Sequence, residues 1–274
     1  MIIIKTLQQF NQQYELTKHL GQGGYGLVYI CKELATGGLR AVKMMEDSKC
    51  DNKAWCSKRL QNIPNEILLW EPLSHPNIHS LLDIFFDEMM KRWFLVMEYD
   101  PDFQDLFNHV DKVGVLPSTD SATLIRQLIR VTHYLALEGV DHRDLKDENI
   151  LYNPLTKQMK LIDFGSASQL KSDPYEASRG TNVYIPPEYY TTGQYCAFPA
   201  TVWAVGCLAY ILLSGDSPFQ SKTAVMKFKN LTDLNMVYGK QLGRLDFIRC
   251  CLNPDHFQRT LLFDLLTHPW LATA

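Results

Sequence analysis

The chain has 274 residues, 46% hydrophobic and 21% charged, enough apolar material for one large domain or two small ones. Net charge is −3 with acidic and basic residues interspersed, a balance that does not indicate a nucleic-acid partner. Seven cysteines, none in a C-x-x-C pair, exclude zinc-site spacing and speak against a secreted disulfide framework.

The opening Met1-Ile2-Ile3-Ile4-Lys5 is too short for a signal-peptide core. Alternating apolar residues predict strands at 14–20, 27–31 and 40–45, separated by glycine turns at 21–26 and 37–38. Residues 46–62 read as a polar excursion, 65–73 as part of a helix, and the stretches near Ile84 and at 93–97 as strands. After Pro101 the pattern changes. Residues 119–138 show helical spacing, with Leu124, Leu128, Val131 and Leu135 on one face. Short strands flank 150 and 161, and the rest to Trp270 is mainly helical. The apolar run 202–213 falls short of the ~20 residues of a membrane span. It predicts a helix buried inside the protein, in a reducing cytoplasmic or nuclear compartment. Strands first and helices after predict two lobes with a crease near 98–102.

Gly21-Gln22-Gly23-Gly24-Tyr25-Gly26-Leu27-Val28 fits G-x-G-x-x-G-x-V. Glycines let backbone N–H groups approach phosphate oxygens without interference from a Cβ. A plain hairpin turn or a dinucleotide fold would use the same residues, but the dinucleotide fold needs a helix straight after the glycines. Here strands follow, leading to Ala41-Val42-Lys43. Lys43 is the candidate for the α- and β-phosphates, and Glu66 in the next helix is the carboxylate that would fix it.

His142-Arg143-Asp144-Leu145-Lys146-Asp147-Glu148-Asn149 fits H-R-D-L-x-x-x-N, and Asp163-Phe164-Gly165 follows. Each residue type has a separate task. Asp163 offers a hard carboxylate to Mg²⁺ and Asn149 a neutral oxygen to a second ion. Asp144 would accept the proton of an attacking hydroxyl, and Lys146 would neutralise charge on the γ-phosphate. The order of these motifs makes Lys43, Asp144, Asn149 and Asp163 one expected set acting on MgATP.

With these motifs in place, the sequence resembles the eukaryotic protein kinases from about Tyr14 to Leu271. The resemblance implies an α+β, bilobal kinase fold: an N-lobe (1–97) with a five-stranded antiparallel sheet and one main helix, helix C, a hinge (98–103), and a mainly helical C-lobe (104–274). It implies transfer of the ATP γ-phosphate to serine or threonine, since Lys146 is the form found in that class and Gly180-Thr181 agrees with it. The family's counterpart of Thr181 bonds the catalytic aspartate and lysine. Leu20, Val28, Ala41, Met97, Glu98, Asp100 and Leu151 would surround adenine, with Met97 as gatekeeper. Glu188 would pair with Arg259.

Several segments are similar to the Pim kinases: Gln104-Asp105-Leu106-Phe107, the Lys-Asp-Glu-Asn ending of the catalytic loop, Leu161 to Ser166, Val183 to Glu188, and Gly215 to Phe219. The hinge is one residue longer than most, and Pro101 leaves Asp100 its N–H, so one or two hinge hydrogen bonds to adenine stay open. Thr201 stands where most kinases have an aspartate, as in Pim kinases. By position, Asp105, Glu148, Asp147 and Asp216 would receive basic residues upstream of the phosphorylated serine or threonine. Arg143 calls for an anion from the activation segment: Ser178 once phosphorylated, or Glu176 or Asp173 unmodified. The expected partners are basic protein substrates, with the kinase a monomer engaging neither nucleic acid nor membrane. A pseudokinase scaffold and a small-molecule phosphotransferase are the alternatives.

Overall fold

The computed structural model describes residues 2–23, 26–50, 53–56, 61–177, 182–234 and 242–272. Gly24, Ser178 and Thr181, singled out above, lie outside these residues. The chain divides into two compact units, Met1–Asp102 and Phe103–Ala274.

In the first unit, strand β1 (Ile4–Thr6) and helix α1 (Leu7–Gln13) precede β2 (Tyr14–Gly23), β3 (Gly26–Glu33) and β4 (Leu39–Glu46). A ribbon of β5 (Lys53–Cys56) and β6 (Gln61–Pro64) leads into α2 (Asn65–Trp70), then β7 (Leu81–Asp87) and β8 (Arg92–Glu98). The sheet order is β1-β7-β8-β4-β3-β2. The five expected antiparallel strands are therefore extended by a sixth, β1, which runs parallel to β7 with Lys5 opposite Phe85. Its three residues are too few for an alternating pattern to stand out in the sequence. The polar excursion likewise contains the β5–β6 pair, and α2 ends at Trp70, before the expected residue 73.

Helix α1 forms because Thr6 and Gln9 make a reciprocal capping box, and it buries a single residue, Phe10. Phe10 meets Tyr14, Phe85 and Phe94 at ring-centre distances of 5.1–5.6 Å and joins a core with Cys31, Val42 and Val96. Burial, then the Asp83 carboxylate that accepts its hydroxyl at 2.7 Å, raises the Tyr14 phenol above its usual range. Phe10→Ala should cost about 3–5 kcal/mol by removing a buried aromatic from this cluster. Denaturant unfolding followed by far-UV dichroism measures it; a loss below about 1 kcal/mol would mean α1 is not part of the core.

The second unit starts with β9 (Gln104–Asp105), α3 (Leu106–Val113), α4 (Ser118–Leu137) and β10 (Val140–Asp141). Then come β11 (Ile150–Asn153), β12 (Gln158–Leu161) and β13 (Ser168–Gln169). The helices α5 (Pro187–Thr192), α6 (Ala197–Ser214), α7 (Lys222–Lys227), α8 (Leu242–Cys251) and α9 (Pro269–Ala272) complete it. Helix α6 is long and apolar enough to cross a membrane, yet 72% of it is buried inside this unit. Apolar on all sides, it packs as the central helix. Gly206 lets α8 approach it: an added Cβ would lie 2.6 Å from that of Cys251.

Candidate active site

In the first unit, the expected nucleotide residues share one face of the sheet. The register puts Gly21 opposite Val28, Val28 opposite Lys43, and Ala41 opposite Met97. Directly opposed residues, and residues two apart on one strand, point to the same face. Gly21, Val28, Ala41, Lys43 and Met97 therefore form one patch, while Cys31, Val42, Phe94 and Val96 line the other face under α1. Leu20 sits at a bulge between the His19 and Gly21 pairings, at the edge of the patch. An added Cβ at Gly26 would lie 2.1 Å from the Met44 carbonyl oxygen, so the sheet itself demands glycine there. At Gly21 nothing lies within 4 Å, which leaves space over the backbone, and Gly23 closes the ladder opposite Gly26.

Lys43 lies on β4, an inner strand of the sheet, and its ammonium reaches Glu66 Oε1 at 2.7 Å. The side chains are only 10% and 7% exposed, so each charge depends on the other for compensation. Near the end of this unit Glu98 is tied to Ser80, accepting its N–H at 2.7 Å and donating its own to the Ser80 carbonyl at 3.1 Å. Asp100 accepts the Asp102 N–H at 2.9 Å, an Asx turn around Pro101.

The second unit assembles the other motifs. Hairpin β11–β12 pairs Ile150 with Leu161, and the Ile162 N–H donates to the Asn149 carbonyl at 3.0 Å. This fold-back brings the end of the catalytic loop beside Asp163. His142, fully buried, donates from Nε2 to the Ile162 carbonyl at 3.1 Å, and its Nδ1 accepts the Asp144 N–H at 3.4 Å. Burial lowers its pKa against the pull of Asp144, keeping the ring neutral as both bonds require. Its ring meets Phe164 edge-on at 5.1 Å. Asp144 Oδ2 accepts from Asn149 Nδ2 at 3.0 Å and lies 3.3 Å from Lys146 Nζ. Its other oxygen, Oδ1, is buried with no donor among the described residues. Burial pulls the Lys146 pKa down, but Asp144 and Glu148 outweigh it and the net shift is upward, so the ammonium stays charged.

The Asn149 amide nitrogen also holds the Asp144 carbonyl at 2.8 Å, which turns its side-chain oxygen toward the opposite side, available to a cation. Asp163 accepts the Gly165 N–H at 3.2 Å. Both Arg143 (φ 65°) and Asp163 (φ 62°) occupy left-handed backbone, a strain of about 1–3 kcal/mol each that tends to persist where function requires it. A carboxylate on Asp163 and a neutral amide oxygen on Asn149 are donor types that suit a hard divalent ion.

Comparison with known proteins accounts for both halves. The protein kinase domain family matches residues 14–271. The chain belongs to the protein kinase family. It is similar to serine/threonine-protein kinase pim-2 of Danio rerio, 32% identical over 274 residues, covering 96% of this chain and 86% of that protein. It is also similar to serine/threonine-protein kinase prk-2 of Caenorhabditis elegans, 33% identical over 264 residues, with 96% and 59% covered. Aurora kinase B of Mus musculus is 28% identical over 260 residues.

In this kinase, Glu188 on α5 and Arg259 form a bidentate ion pair at 2.8 and 2.6 Å, almost wholly buried. Arg259 also donates to the Pro199 and Asn253 carbonyls and lies 4.9 Å from the Trp203 ring centre. The carboxylates assigned to substrate differ in setting. Asp105 caps α3 by accepting the Asn108 N–H at 3.0 Å; burial, then Asp147 and Glu148, raises its pKa. Asp147 is buried and accepts the Tyr184 hydroxyl at 2.8 Å, so it braces the loop. Glu148 is half-exposed and 3.3 Å from Lys146, and Asp216 is exposed, accepting the Ser217 N–H and Gln220. Leu151 on β11 pairs with Asp105.

Of the expected anions for Arg143, Ser178 lies outside the described residues. Among the described residues no ion pair joins Arg143 to Glu176 or Asp173; it donates instead to the Tyr195 hydroxyl at 3.0–3.1 Å and to the Ala177 carbonyl. The Tyr175 ring lies over the guanidinium at 4.2 Å. Tyr175 and Tyr195 carry no motif, so no pattern in the sequence singles them out.

Outside this centre, Asp246 and Cys250 on α8 approach His268, their ligand-type atoms within 4.8 Å of one another. His268 Nδ1 accepts the Trp270 N–H at 3.2 Å, leaving the proton on Nε2, 3.5 Å from Asp246. A proton-bearing nitrogen is not a metal donor.

Proposed function

We propose that this ATP-dependent serine/threonine protein kinase acts on protein substrates carrying arginine or lysine upstream of the acceptor hydroxyl. One observation carries the catalytic part: the buried Asp144 oxygen without a donor, beside Lys146 and Asn149. An unmet buried acceptor is costly, about 1–3 kcal/mol, and an arriving hydroxyl would satisfy it. In this reading Asp144 orients the hydroxyl and takes its proton, and Lys146 faces the transferring phosphoryl group.

Lys43 would hold the ATP phosphates, with the Gly21 backbone open to them, and Asp163 and Asn149 would hold Mg²⁺. When bound, Mg²⁺ neutralises the charge that develops on the phosphate oxygens. The basic preference is supported by Asp105, whose carboxyl is raised in part by Asp147 and Glu148; a cationic side chain would relieve that repulsion. Cys31, Cys196, Cys207, Cys250 and Cys251 are thiols outside any disulfide, which supports a cytoplasmic or nuclear setting.

The test is a radiolabelled-ATP assay with a basic serine peptide, a neutral peptide and no peptide. Labelling of the basic peptide should exceed the neutral one by about tenfold, ~1.4 kcal/mol of transition-state binding. Equal labelling would remove the basic preference. No labelling of either would replace the kinase reading with that of a scaffold.

A further inference from the structure

The reverse face of the first unit's sheet is organised around the strand that carries Lys43. The register sets Val42 opposite Val96 and Met44 opposite Phe94, so the two residues flanking Lys43 point away from the nucleotide patch. Each row continues one strand further, with Val96 opposite Asp83 and Phe94 opposite Phe85. Phe10 of α1 seats on the second row, its ring centre 5.3 Å from that of Phe85 and 5.1 Å from that of Phe94. Val42 and Val96 belong to the same buried cluster, and Leu7 and Met44 pack against it. The back of β4 on either side of Lys43 is therefore packed under α1.

The first row ends in a polar latch. The Asp83 carboxylate accepts the Tyr14 hydroxyl at 2.7 Å and pairs with the Lys5 ammonium, which also lies 5.3 Å from the Phe85 ring centre. Lys5 and Tyr14 bracket α1, so one carboxylate ties both ends of the helix to the sheet. On the nucleotide side Lys43 is held by Glu66, which comes from α2, a helix of six residues. A helix that short is marginal by itself. Placement of Lys43 then depends on what fixes its strand from behind.

We propose that Phe10 and Asp83 are positioning residues for Lys43. Phe10 acts through Phe94 and Met44 on the back of β4, and Asp83 acts by holding α1 in place. Together they set the strand so that the Lys43 ammonium meets the phosphates of ATP. This rests on the kinase reading above, in which Lys43 holds those phosphates.

The experiment is steady-state kinetics of the full chain with Phe10→Ala, Phe10→Leu, Asp83→Asn and Arg259→Leu, at a temperature where circular dichroism shows each folded. Phe10→Ala is expected to raise the KM for ATP by about tenfold and Asp83→Asn by about threefold, with kcat little changed. Phe10→Leu restores most of the apolar volume and should stay within about twofold of wild type. Arg259→Leu destabilises the second unit and should lower the active fraction, hence the apparent kcat, without raising the KM for ATP. A wild-type KM for ATP in Phe10→Ala or in Asp83→Asn would overturn the role of that residue. An equal rise in Arg259→Leu would reduce the effect to general destabilisation and overturn both. Should Phe10→Ala not fold, Asp83→Asn decides alone. Hydrogen exchange of residues 40–46 gives a readout independent of catalysis: faster exchange in Asp83→Asn supports the proposal, and unchanged exchange refutes it. Should the wild type label no peptide, the kinase reading fails while the exchange result still decides whether α1 fixes this strand.

Discussion

Replacing Asp144 by asparagine is expected to lower kcat by about 10²–10⁴-fold, the range usually supplied by a general base. The substitution keeps the shape of the side chain and leaves the main-chain bond from Asn149 at 2.8 Å untouched. It removes the negative charge and the proton-accepting oxygen that now has no donor. The KM for ATP should move little, because Asp144 is assigned to the acceptor hydroxyl. Thermal stability should hold or rise slightly, since a neutral amide relieves a buried unmet acceptor. Steady-state kinetics beside a thermal melt separate the outcomes. A variant that keeps more than about a tenth of wild-type turnover would show that Asp144 is not the base.

Arg259→Leu is expected to destabilise the folded protein by about 3–5 kcal/mol, because it leaves the Glu188 carboxylate buried without its countercharge. Arg259 also supplies hydrogen bonds to two backbone carbonyls that would lose their donor. Pairing it with Glu188→Leu should recover part of the loss, since two apolar side chains carry no uncompensated charge. Chemical denaturation of the single and double variants measures both numbers. A double variant as unstable as the sum of the singles would mean the pair is not coupled.

The motifs legible in the sequence were those whose residues do separate chemical work at fixed spacing. Lys43, Asp144, Asn149 and Asp163 carry distinct charges and donors, so a reader can assign each without coordinates. The long helix 119–138 was equally readable, because its apolar residues repeat at helical spacing and α4 buries that stripe. What escaped was short or aromatic. Strand β1 has three residues and its pairing depends on β7, far along the chain. Phe10 looks like any apolar residue until Phe85 and Phe94 close around it.

The Arg143 surroundings mark the same boundary. The sequence offered Glu176, Asp173 and a phosphorylated Ser178 as anions, all plausible by charge and nearness along the chain. Among the described residues the fold supplied Tyr175 and Tyr195, because a two-residue backbone bridge decides which side chains face the guanidinium. Family, motif order and the type of chemistry follow from residue identity along the chain. Which carboxylate is buried, which oxygen lacks a donor, and what surrounds each charge follow from long-range pairing, which a local pattern does not encode.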